Sequence, residues 1–199
     1  MKLNLKMAMH TNMKYVFAVL VLALSGCGGG GGGGGTSGGP AITGVAATGA
    51  PAVGLVSLRV GSSSINPVTV FTSSDGSYSI PTSNLSGPVL LQVTTSSNKN
   101  LYSISPTSTG MANINPLTTI VTAVAASPTD LTQAFSATTS NINLYPIISK
   151  MSAAETGVHK VLAPMLAAFN VKGSLINSLY VADHTNVDAL LDLIDCDIN

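Results

Sequence analysis

The segment VTVFTSSDGSYSI, Val68 to Ile80, decides how this chain is read. Val68 and Val70 alternate with polar neighbours at the period of a β-strand, and SYSI is a second β-rich run. Asp75-Gly76 between them is the strongest short-range hairpin signal, because both central residues of a type I′ turn need φ > 0. On either side, AITGVAA, VGLVSLRVG, PVLLQVTT and LYSIS are further short β-rich runs, with Val56, Leu58 and Val60 again alternating. Thr48-Gly49-Ala50-Pro51 marks another turn. The expectation over residues 41–105 is a small antiparallel β-sandwich. A turn residue explains Asp75 completely; as a calcium ligand it has no second carboxylate near it in sequence.

Beyond residue 105 the pattern changes. In NINPLTTIVTAVAAS, Asn115 can cap a helix and Pro116 sits in its first turn, where a missing N–H costs nothing. Ser127-Pro128-Thr129-Asp130 repeats the device before LTQAFSATT. Val158, Val161, Leu162, Met165, Leu166 and Phe169 follow helical spacing, with Gly173 placed to end that helix. Thr185-Asn186-Val187-Asp188 reads as a capping box before ALLDLI. Residues 106–199 are therefore expected to form an apolar-faced, bundle-like helical module. IDCDIN alternates Ile194, Cys196 and Ile198 like a strand whose partners lie elsewhere, so a continuation past Asn199 is expected.

The first 26 residues have the three-part layout of a secretory signal: a basic n-region, an apolar run from about Tyr15 to Leu24, and small residues before Cys27. About ten apolar residues span roughly 15 Å as a helix, half the hydrocarbon core of a bilayer. Met13-Lys14 is an equally good start for this signal. Leu24-Ser25-Gly26-Cys27 resembles the lipobox of bacterial lipoproteins. The resemblance implies cleavage before Cys27, diacylglycerol on its thiol and an acyl chain, such as palmitate, on the new amino terminus. Three chains at about 0.8 kcal/mol per buried CH₂ exceed what stable anchoring needs. Gly28 following the cysteine implies export to the outer membrane of the cell envelope. Residues 27–40 then make a lipidated cysteine and a disordered glycine-rich linker with a reach of roughly 20 Å. No strand precedes that run and no Lys-Ser/Thr follows it, so it is not a phosphate-binding loop.

Composition agrees with an extracytoplasmic address. Only 8% of residues are charged, against about 25% in ordinary soluble domains. After Cys27 the bases are Arg59, Lys99, Lys150, Lys160 and Lys172, while every acid lies there and five follow Lys172. A nucleic-acid footprint is excluded.

Catalytic motifs are sparse. Glu155 and His159 are i,i+4 neighbours, a spacing that holds a metal or, far more often, a solvated pair. His184, between Asp183 and a capping Thr, reads as a loop or cap residue. Asp195-x-Asp197-x-Asn199 opens like a calcium loop without its central Gly and closing Glu. With Cys27 lipidated, Cys196 has no intramolecular disulfide partner. There is no Trp, and the Phe and Tyr residues are scattered, mainly core candidates. Neither a catalytic residue, nor a metal site, nor a cofactor is expected.

Two stretches carry a further resemblance. TGVAATGAPAVGLVSLRVG and FTSSDGSYSI resemble the carboxypeptidase regulatory-like domain, a transthyretin-like (prealbumin-like) β-sandwich without catalytic residues of its own. GMANINPLTTIVTAVAA, LAAFNV and VADHTNVDALLDLIDCDI resemble a group of bacterial lipoproteins in which such a module precedes a helical segment. Together these imply a lipid-anchored, non-catalytic envelope protein with a binding or structural role, whose partner is an envelope protein or an extracellular polymer. The alternative is a carbohydrate-interacting accessory module, with a hydrolase third.

Overall fold

The computed structural model describes residues 39–61, 67–136, 142–178, 180–181 and 183–194. The expected signal, Cys27, residues 28–38 of the expected glycine-rich linker, Cys196 and the Asp195-x-Asp197-x-Asn199 tail lie outside these residues. Among the described residues the strands come first: β1 Ala41–Val45, β2 Gly54–Val60, β3 Val68–Phe71, β4 Ser77–Pro81, β5 Val89–Thr95, β6 Asn100–Ser105 and β7 Gly110–Met111. They form two sheets, of order β4-β1-β7 and β3-β2-β5-β6. All pairings are antiparallel except that of β7 with β1. The sheets share a core in which Ile42, Tyr78 and Ile80 of one meet Val56, Leu58, Leu91 and Val93 of the other. β7 and Ile114, which bridges to Ala46, lie past residue 105, inside the span read from sequence as helical.

The Asp75-Gly76 turn departs from its expected role. β3 pairs with β2 and β4 with β1, so the turn carries the chain from one sheet to the other and closes no ladder. Gly76 alone takes positive φ (78°), which rules out type I′. Its N–H returns to the Ser73 carbonyl at 3.0 Å, and its own carbonyl accepts the Ala46 N–H at 2.9 Å. That bond to the opposite sheet pulls the chain across. A Cβ on Gly76 would lie 2.4 Å from the Ala46 carbonyl oxygen, so glycine is required for approach as well as for φ.

Four helices come after the strands: α1 Pro116–Ala126, α2 Leu131–Ser136, α3 Tyr145–Ala168 and α4 Asn186–Leu191. They do not stand apart as a bundle. Leu90, Tyr102 and Ile104 point away from the shared core and join the helices in a second one. The four-stranded sheet is thus the middle layer, which is why β5 and β6 are buried on both faces. Helix α1 has ten of its eleven residues buried, three threonines among them, so it is enclosed nearly all round. Val161 leaves the expected apolar stripe and is 79% exposed, because α3 turns Val158 and Leu166 inward instead.

Helix ends show where local signals hold. Asn115 caps α1 as expected, its Oδ1 accepting the Thr118 N–H at 2.9 Å while Thr118 Oγ1 accepts the Asn115 N–H at 2.9 Å. Asp130 caps α2 through the Thr132 and Gln133 N–H groups. Gly173 does not end α3. Asn170 does, at φ 53°, with the Val171 N–H bonded to the Leu166 carbonyl and the Asn170 N–H to that of Ala167. This is a Schellman end with Asn in the left-handed position, and buried Val171 and Leu166 supply its apolar contact.

The margins of the two sheets are held differently. The outer edge of β6 is closed by α1: Thr119 Oγ1 accepts the Tyr102 N–H at 2.9 Å, and Thr118 Oγ1 lies 3.0 Å from the Tyr102 carbonyl oxygen. Strand β1 enters from Gly39 and Pro40, and the turn beyond its far end holds Gly49 against Asp192.

Candidate functional site

The densest group of polar side chains among the described residues is the loop from Tyr180 to Asp192 around α4. Asp188 is 1% exposed. Its Oδ1 accepts a hydrogen bond from the Tyr180 hydroxyl, and its Oδ2 accepts the His184 N–H at 2.6 Å. The expected capping box is absent: Thr185 is the N-cap residue but makes no side-chain cap. Asp183 competes for it, its Oδ1 accepting both the Thr185 N–H at 3.0 Å and the Thr185 hydroxyl at 2.7 Å. An Asx-type turn of this kind offers the backbone an alternative to the cap. His184 and Asn186 both take positive φ, 59° and 48°, which lets the chain fold back over Asp188.

The His184 imidazole Nδ1 lies 3.1 Å from Asp192 Oδ2. Asp192 in turn packs on Gly49, where a Cβ would come within 2.2 Å of its Oδ1 and 2.8 Å of its backbone N. Gly49 has φ 91°, so both its conformation and its closeness to Asp192 require glycine. A cavity of about 150 Å³ opens beside this group, lined by Tyr180, Val181, Asp183, Thr185, Asn186, Val187 and Asp188.

Electrostatics assign these groups to support. Burial, reinforced by the hydrogen bond to Asp188, raises the Tyr180 pKa and keeps its hydroxyl a donor. The hydrogen bond from the Thr185 hydroxyl lowers the Asp183 pKa, so the acceptor of the turn stays ionised. The hydrogen bond to Asp192, then the charges of Asp192, Asp188 and Asp183, raise the His184 pKa. Because the folded value is the higher one, the favourable imidazolium contact is complete below the unfolded value near 6.5 and fades as pH rises through the folded value. A proton-NMR titration of His184 is expected to give a midpoint above the ordinary histidine value, and Asp192→Asn is expected to bring it down. An unchanged midpoint in the variant rejects the pairing.

The other candidates separate. Glu155 accepts the Leu175 N–H at 2.6 Å, so its carboxylate pins the segment after α3 and does not pair with His159. His159 lines a second cavity of about 380 Å³ with Leu166, Val171 and Lys172. Asp75 is a turn residue as expected: its Oδ1 accepts the Ser77 N–H at 2.9 Å. Hydrogen bonds from the Ser77 side chain and backbone lower its pKa. Among the described residues no cluster of three His, Cys, Asp or Glu is placed to hold a metal. None of the described helices is long and apolar enough to cross a membrane.

Sequence reasoning missed the Tyr180–Asp188 pair and the fastening role of Asn113. Asn113 Oδ1 accepts the Val45 N–H at 3.1 Å and its Nδ2 donates to the Ser178 carbonyl at 2.7 Å. It ties β1 to the loop that leads into the acidic group. Its signal was the density of amides and hydroxyls in NINPLTT, and every one of Asn113, Asn115, Thr118 and Thr119 is buried. No family model, curated protein or solved structure matches this chain.

Proposed function

We propose that the chain is a lipid-anchored protein of the bacterial cell envelope, held at the outer membrane through Cys27, with a non-catalytic binding or structural role. The observation that carries this reading is Leu24-Ser25-Gly26-Cys27, set between an apolar run of about ten residues and a glycine-rich tether. We read the two-sheet unit as a transthyretin-like sandwich of the regulatory-like kind, supported by the turn from β1 to β2 and by the Asp75-Gly76 connection between the sheets. The non-catalytic part is supported by the polar groups around α4, whose hydrogen bonds go to neighbouring side chains and backbone. Exposed Phe71 and Tyr145 lie toward opposite ends of the sheets, which weighs against a sugar-stacking platform. Metabolic labelling with palmitate is expected to tag the protein and to leave a Cys27→Ser variant unlabelled and released from the membrane fraction. An unlabelled wild type, or a variant that stays as firmly bound, overturns the reading.

A further inference from the structure

We propose that β3 is a seam for self-association, along which a second copy of this chain adds edge to edge and antiparallel so that the two four-stranded sheets continue as one. The pairing of β3 with β2 fixes which backbone groups are available. The Thr72 N–H bonds to the Gly54 carbonyl at 3.0 Å. Hydrogen-bonded and non-hydrogen-bonded pairs alternate along an antiparallel ladder. Val70 and Val68, opposite Val56 and Leu58, therefore face β2, while the N–H and C=O of Thr69 and Phe71 point outward from the open edge.

The side chains on that edge agree with the backbone. Thr69 is exposed and Phe71 is 78% exposed. Leu55, opposite Phe71, is only half-buried, and exposed Val53 is held alongside by the bonds of Thr72 to Ala52 and Gly54. Among the described residues the helices cover the β5–β6 side of the sheet and leave this apolar corner bare. Proteins commonly blunt such an edge with a charge, a proline or a covering helix. The other edge, β6, is covered by α1, and β4 ends in Pro81. From Pro67 to Ser74 there is no ionisable side chain.

An uncharged edge favours a second copy, because two identical edges meet without like-charge repulsion and a charged partner finds no complement. The geometry is also self-complementary. With a two-fold axis at Val70, Thr69 lies opposite Phe71 of the second copy, and each such pair exchanges both N–H···O=C bonds. The same register sets the Phe71 ring against a β-branched Thr69, a favourable cross-strand pair. Neither element depends on the lipid at Cys27.

Hydrogen exchange of the unmutated full chain tests this without a substitution. On raising protein concentration, the Thr69 and Phe71 amides are expected to slow together by about tenfold or more, with Val70, already bonded to β2, changing least. Val70→Cys in a Cys196→Ser background is expected to give a disulfide-linked dimer on mild oxidation. Facing residues of a non-hydrogen-bonded pair sit about 4.5 Å apart at Cα, within disulfide reach. Adding Thr69→Lys is expected to abolish it. Concentration-independent exchange at Thr69 and Phe71, or cross-linking that survives Thr69→Lys, overturns the proposal.

Discussion

Tyr102→Ala is expected to remove about 3–5 kcal/mol of folding stability, the range for deleting a large buried aromatic side chain. Tyr102 is fully buried in β6, its ring edge-on to Phe135 at a centroid distance of 6.4 Å, and its hydroxyl accepts from Gln92 Nε2 at 2.9 Å. Gln92 is also its cross-strand partner. The truncation therefore opens a cavity between the middle sheet and the helices and leaves a half-buried amide without its acceptor. The Thr118 and Thr119 contacts to its backbone survive in principle, but the cavity loosens the helix that holds them. Urea denaturation monitored by far-ultraviolet dichroism checks this. Loss of strand and helix signal in one transition with a lowered midpoint is expected, because the middle sheet belongs to both cores. Tyr102→Phe, which keeps the ring, is expected to cost only about 1 kcal/mol. Equal losses for the two variants would mean that the hydroxyl, and not the packed ring, joins the layers.

Gly44→Ala is expected to be nearly as severe, about 2–5 kcal/mol from overpacking together with the loss of a buried hydrogen bond. A Cβ at Gly44 would stand 1.9 Å from the Ala112 carbonyl oxygen and 3.0 Å from the Tyr78 hydroxyl. The Tyr78 hydroxyl donates to that carbonyl, and burial raises its pKa, so it remains a donor. The alanine methyl therefore pushes β7 from β1 and strips Tyr78 of its acceptor. Since Gly44 has ordinary backbone conformation, the whole penalty comes from crowding. A variant as stable as wild type by thermal denaturation would rule out this close approach of β7.

What the sequence made legible was local. Asn115 and Pro116 start a helix, and alternating Val56, Leu58 and Val60 make a strand, because each signal acts within a few residues. The failures share a cause: a distant partner won over a local preference. Gly76 is drawn by Ala46, thirty positions upstream, so an expected hairpin became a crossing between sheets. Glu155 is claimed by Leu175 across the end of α3 and ignores His159 one turn away. Asp188 was placed for a cap, yet its oxygens go to Tyr180 and His184. Ends are subject to the same competition, since Asn170 stopped α3 before Gly173 could. Periodicity found the faces of α3 to within one position, and Val161 fell on the wrong side of that boundary.

Strand β1 and the turn after it link two ends of the domain. The backbone goes in at Pro40 and reappears beyond Gly49 after roughly 25 Å of extended chain, which separates head from far pole. Gly87, Tyr145 and the strand ends near Pro81 gather at the pole beside Gly39 and Pro40. Asp75, Asp183 and Asp192 crown the other. Carboxylates gathered at one end give that pole of the domain a negative field, which favours the approach of cations over anions there.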